Sequence, residues 1–182
     1  MSNLNMDDKY SFDRLGEYTA LLAGYSWLEV ETYLINNLEE GYNHDVFFSA
    51  LLRDKLYQRS YQVPRVLDKG YEIHGPFYLS KLNSENFKKI TIEQFSVKIN
   101  DIFYSEVGFT KNDEKIDIAR QQEARWLLNK LPKDWADYYE LNVSREDEKY
   151  HHESWFILTI FYEFIIVERS TKKLYLCILG ED

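Results

Sequence analysis

The stretch Trp155 to Val167, WFILTIFYEFIIV, constrains this chain most: thirteen consecutive residues that are apolar or aromatic except Thr159 and Glu163. Wound as a helix it would rise only about 20 Å, short of the roughly 30 Å of hydrocarbon a membrane-spanning segment must cross. Glu163 at its middle would add the cost of a charge in lipid. Tryptophan, phenylalanine, tyrosine, isoleucine and valine favour an extended backbone, because branched and aromatic side chains pack well on a pleated surface. The run therefore reads as a strand. Both alternating faces are apolar, with Phe156, Leu158, Ile160, Tyr162, Phe164 and Ile166 on one and Trp155, Ile157, Phe161, Ile165 and Val167 on the other. Such a strand belongs in the middle of a sheet, covered by helices on one face and by a loop, a further helix or a partner on the other.

Its neighbours share the two-residue period. Tyr139, Leu141 and Val143 alternate with Glu140, Asn142 and Ser144, and a second alternation runs from Leu174 to Leu179 after Ser170-Thr171-Lys172. Three β segments with short links predict an antiparallel meander at the C-terminus. Its outer strands, 137–144 and 173–179, carry no proline, so they are expected to be open edges, available to a partner or covered by residues 71–80.

The preceding half reads as helical. Residues 1–10 are polar and expected to be a disordered N-terminus, with 11–182 a single domain. Ser11 opens a short expected helix that stops at Gly24. Ser26-Trp27-Leu28-Glu29 has the form of a capping box, and Trp27, Val30, Leu34 and Leu38 recur at helical spacing up to Gly41, predicting a helix over 27–40. Asn43 or Asp45 caps the next, whose apolar stripe is Phe47, Phe48, Leu51, Leu52 and Leu56, ending near Ser60. Residues 61–82, with Pro64, Gly70 and Gly75-Pro76, predict a functional loop or a short strand pair. Thr91-Ile92-Glu93-Gln94 is a further capping box, leading into a helix that closes at Gly108; the alternation Lys89 to Ile92 fits a strand, but the longer helical run outweighs four residues. A last helix runs from about Asp113 to Pro132. The fold class expected is α+β, with N-terminal helices packed on the C-terminal sheet.

Chemistry is sparse. His151-His152-Glu153 contains metal-ligand types, but adjacent histidines point apart and lack the four-residue spacing of a helical zinc site, so a solvated loop with one half-buried histidine is expected. No glycine-flanked serine elbow or phosphate-cradling glycine pattern occurs, and the lone Cys177 sits in an apolar strand where a thiolate is disfavoured. No cofactor and no metal are expected. A formal charge of −9 repels nucleic-acid backbones and anionic lipid. The start MSNLNMDDKYSFDRL has no basic, apolar signal pattern, which with one unpaired cysteine predicts a cytoplasmic protein.

Acidity itself is the remaining signal. From Glu29 to Asp45 there are five acids and no lysine or arginine, and Glu39 and Glu40 fall at the negative end of the expected helix. Local misplacement of charge is enriched at functional surfaces, so Tyr33, Glu39, Glu40, Tyr42, His44 and Asp45 form the candidate partner-binding site, with a solubilising face as the plain alternative.

In size, charge, tyrosine content and helix-then-sheet layout, the chain resembles the immunity proteins that bacteria make against their own polymorphic or contact-delivered toxins. The resemblance implies a non-catalytic inhibitor that binds a basic toxin domain, such as a nuclease, and blocks it. Two other classes stay open: a small hydrolase with a site assembled around His151 and His152, and an interaction domain that forms homo-oligomers through its sheet edge.

Overall fold

Strands open the chain where periodicity predicts helices. The computed structural model describes residues 9–22, 26–59, 61, 72–103, 114–144, 147–152, 158 and 160–181. Within them, β1 (Ser11–Leu21) and β2 (Ser26–Asn36) pair antiparallel, and the Leu22 N–H donates to the Ser26 carbonyl at 2.8 Å in place of a helix cap. The helical stripe of Trp27, Val30 and Leu34 was coincidental to a two-residue one. Leu28 and Val30 enter one core while Tyr33 and Ile35 enter the other, as side chains alternate on a pleat. Thr32, Tyr33 and Ile35 suit that backbone better than a helix.

Helix α1 (His44–Arg53) follows, capped by Asn43, whose side chain accepts from the Val46 N–H at 3.0 Å. It stops at Asp54, short of Ser60. Strands β3 (Ile73–His74) and β4 (Phe77–Tyr78) form a two-stranded hairpin turned by Gly75 at φ 54°. Then β5 (Phe87–Ile90) ends one residue before the Thr91–Gln94 capping box, so strand and helix share the disputed stretch: α2 (Ile92–Asp101) begins directly after it. Helix α3 (Glu114–Lys130), β6 (Ala136–Leu141), β7 (Ile160–Glu168) and β8 (Lys173–Glu181) complete the order. Gly24, Ser60, Pro64, Gly70, Gly108, Asp113, Glu153, residues 155–157 and 159 of the apolar run and residues 1–8 of the expected disordered terminus lie outside the described residues.

The main sheet has six antiparallel strands in the order β1-β2-β8-β7-β6-β5. The strands expected as open edges are interior: β2 covers β8, and β5 covers β6. The edges are β1 and β5. One face packs Ile165, Val167, Leu174, Leu176 and Tyr139 against Phe47, Phe48 and Leu51 of α1. The other packs Phe164, Ile166, Cys177, Leu179 and Tyr138 against Phe95 and Ile99 of α2 and Ala124 and Leu127 of α3. Each fully buried Phe, Leu or Ile contributes about 1.5 to 3 kcal/mol, so a sheet buried on both faces holds most of the stabilising area.

The layout of N-terminal helices on a C-terminal sheet is thus overturned. The sheet starts at residue 11 and draws strands from both ends of the chain, and the helices are dispersed along the sequence and lie on both its faces. Charge inside the sheet hid this: Glu29 and Glu31 are both buried, so the alternation of β2 did not look like one wet and one dry side.

Candidate functional site

Sheet register gathers carboxylates on the face that carries α1. Thr19, Glu29, Ile178 and Glu163 form one cross-strand row; Glu17, Glu31 and Leu176 form the next. Glu31 is fully buried and accepts from Arg14 Nη2 at 2.6 Å and from the Tyr33 hydroxyl at 2.9 Å, with Arg59 in contact as well. Arg59 also lies 3.2 Å from Glu29, and Arg14 pairs with Glu17. Burial raises the Glu29 pKa above its ordinary 4.5, against the pull of Arg59 and Arg14. Burial pushes the Tyr33 hydroxyl up to about 12. Three carboxylates as close as Glu17, Glu29 and Glu31 suit a divalent cation in donor type, yet the two guanidinium groups already bring the compensating charge.

Beside them Glu163, the acid inside the apolar run, is enclosed. The Tyr57 hydroxyl donates to its Oε1 at 2.6 Å, and His74 Nε2 contacts Oε2. His74 Nδ1 donates to the Tyr57 carbonyl at 2.6 Å, and the two rings stack with centroids 3.7 Å apart. All three side chains are within 1% of complete burial, so this chain of hydrogen bonds has no route to a substrate; it ties residues 54–59 and the β3–β4 hairpin to the sheet. A glutamate in the middle of a strand apolar on both faces demands such partners, which was the available sequence signal.

The expected partner-binding residues separate into two groups. Tyr33 is buried and serves Glu31. Tyr42 and His44 are half-buried braces: the Tyr42 and Tyr139 hydroxyls share a hydrogen bond at 2.7 Å, the Tyr42 hydroxyl reaches Asp137 at 3.3 Å, and His44 Nε2 meets the Ser84 carbonyl at 3.0 Å. Burial, then Tyr139 and Asp137, raises the Tyr42 pKa strongly. Glu39, Glu40 and Asp45 are exposed, on the connection from β2 into the first turn of α1 rather than at a helix C-terminus. Glu39 pairs with Lys9 at 3.0 Å. Asp45 accepts from Ser84 Oγ at 2.8 Å, which sets exposed Glu85 alongside.

Two further features escaped the sequence. His151 and His152 are both buried, not solvated, because the hairpin folds over them: the His152 N–H donates to the Pro76 carbonyl at 2.9 Å, and the His151 ring stacks on Phe77. His151 lines a cavity of about 170 Å³ with Phe77, Glu140 and Phe161. Trp135, immediately before β6, is 77% exposed and held at φ 58°, a left-handed conformation that a bulky residue rarely adopts. Ala136 pairs with Glu168, and the Ile35 N–H donates to the Lys172 carbonyl, so Trp135, the 169–172 turn and the end of β2 share one end of the sheet.

Among the described residues no helix is long and apolar enough to cross a membrane. No family model matches the sequence, and no curated protein matches it. Among solved structures, citrus MAF1 is similar in two crystal forms, with TM-scores of 0.41 and 0.39 and 12% and 14% identity, 88% of this chain and 92% of the MAF1 chain being covered in each. A likeness at that level carries no conclusion about fold or function.

Proposed function

We propose that this chain is a cytoplasmic immunity protein that captures and neutralises a basic toxin domain of the bacterium's own making. The observation that carries the reading is the exposed acidic connection of Glu39, Glu40 and Asp45, steadied by the Asn43 cap and the His44–Ser84 contact, with Trp135 exposed at the same end of the sheet as Glu39 and Glu40. Carboxylates of this kind steer a cationic surface and mimic the phosphates a nuclease expects. An exposed tryptophan beside the sheet supplies an anchor of the kind that dominates binding energy once it is desolvated against a partner. Buried Tyr33 acts through Glu31 and leaves the contact surface.

The test is affinity capture from the source cell with the wild-type chain, the Glu39→Lys/Glu40→Lys/Asp45→Lys variant and Trp135→Ala. A basic protein retained by the wild type, lost or at least tenfold depleted with the charge reversal and weakened with Trp135→Ala, is expected. Equal retention by all three would remove this surface, and capture of no basic protein would remove the inhibitor reading.

A further inference from the structure

We infer that β1 is a self-pairing edge through which two copies of this chain join into one continuous sheet. Six large hydrophobic residues stand exposed among the described residues: Leu15, Tyr18, Leu21, Val97, Trp126 and Trp135. Three of them lie on β1, at 54%, 59% and 63% exposure, and Trp126 of α3 packs edge-to-face on Tyr18 with centroids 6.0 Å apart. A groove of about 210 Å³, lined by Tyr18, Trp126, Leu127 and Tyr175 among others, continues this patch. Four of six exposed apolar side chains thus gather at one sheet edge, the arrangement that marks an interface rather than scattered surface residues.

The edge strand is long, spanning Ser11–Leu21, with no proline or lysine, and no described strand pairs with its outer side. Its charges select a second copy as the occupant. Leu15 is the extra residue of a bulge, because Arg14 pairs with Tyr33 and Gly16 with Thr32. Skipping Leu15, an antiparallel pair centred on Gly16 of each copy sets Arg14 opposite Glu17 and Asp13 opposite Tyr18, so the Arg14–Glu17 pairing each chain already makes internally is repeated across the seam and like charges never sit opposite each other. The neighbouring registers that keep side chains on their proper faces place Arg14 on Arg14 or Glu17 on Glu17, which is unfavourable. The opposite edge, β5, is only Phe87–Ile90 and exposes Lys88 and Lys89, which blunt it. Pairing is therefore isologous and closes as a dimer instead of propagating into a fibre. This surface is separate from the acidic connection, and dimerisation stands or falls independently of the toxin partner.

Light scattering on the eluting protein across micromolar concentrations is expected to give twice the 21.9 kDa chain mass. Tyr18→Lys should leave the circular dichroism unchanged and weaken dimerisation at least tenfold. Gly16→Cys, at a position where an added Cβ meets nothing within 4 Å, should crosslink the dimer under mild oxidation, because the two positions face each other across the axis. A monomer at every concentration overturns the proposal, whether its β1 amides exchange freely or are protected by the chain itself or by another protein. So does a dimer that Tyr18→Lys leaves intact and Gly16→Cys does not crosslink.

Discussion

Tyr57 donates its phenolic hydrogen to Glu163 across 2.6 Å, joining the segment after α1 to the middle of β7 with neither side chain reaching solvent. Because His74 closes on the other carboxylate oxygen, removing the acid strands two polar groups in the core at once. Glu163→Leu is expected to cost about 3 to 5 kcal/mol, the usual penalty for breaking a buried pair by one partner. Tyr57→Phe, losing one hydrogen bond to a charged group, should cost about 1.5 to 3 kcal/mol. Replacing both His74 and Glu163 with apolar residues should recover part of the loss. Urea midpoints of the three variants check this, and a double variant no more stable than Glu163→Leu alone would contradict the pairing.

Trp27 lies over Gly180. A Cβ at residue 180 would fall 2.3 to 2.9 Å from three atoms of the indole, whose outer side stacks on Tyr61 at 5.5 Å. Gly180→Ala must therefore push the ring off its seat, at about 1 to 3 kcal/mol for overpacking. The tryptophan emission should shift to longer wavelength, and the penalty should shrink in a Trp27→Leu background. A Gly180→Ala chain with unchanged emission and midpoint would show that the ring does not rest there.

Cys177 is fully buried in β8, and burial raises its thiol pKa far above the ordinary 9.0. A thiol that is neither ionised nor accessible reacts only through opening of the sheet. Labelling by an aromatic disulfide reagent at neutral pH should be at least a hundredfold slower than in urea and should track the unfolding free energy. Fast labelling of native protein would place Cys177 at the surface.

Glu29 gives the pH dependence its sign. Its folded pKa is raised above 4.5 by burial, so the native state holds this proton more tightly than the unfolded chain does. The stability it contributes is fully present below pH 4.5 and is lost as the pH rises through the higher folded value. Measured against Glu29→Gln, which does not titrate, the wild type should therefore lose relative stability from pH 4.5 towards neutrality. A difference that stays constant, or grows, across that range would reverse the assignment.

Several local features were legible in the residues alone. Asn43 and the Thr91–Gln94 box cap their helices as the sequence indicates, since caps depend on neighbours within one turn. Residues 160–167 of the apolar run form a central strand for the same kind of reason: a segment apolar on both sides needs cover on both. For the residues singled out as a binding surface, only their exposure can be compared. Glu39, Glu40 and Asp45 are exposed, while Tyr33 turned inward, and the helix-end reasoning that singled them out does not apply because no helix ends there.

From its sequence, then, the chain determined where the caps of α1 and α2 and the apolar strands near the C-terminus lie, because these follow from spacing and side-chain shape over a few residues. Only tertiary structure decided that residues 11–21 and 26–36 are strands and that Glu29 and Glu31 are interior. A buried carboxylate is tolerable only beside its partner, and the partners come from afar: His74 is 89 residues from Glu163, and Arg14 is 17 from Glu31. Local periodicity records such residues as wet, whereas the fold, by supplying the opposite charge, makes them core.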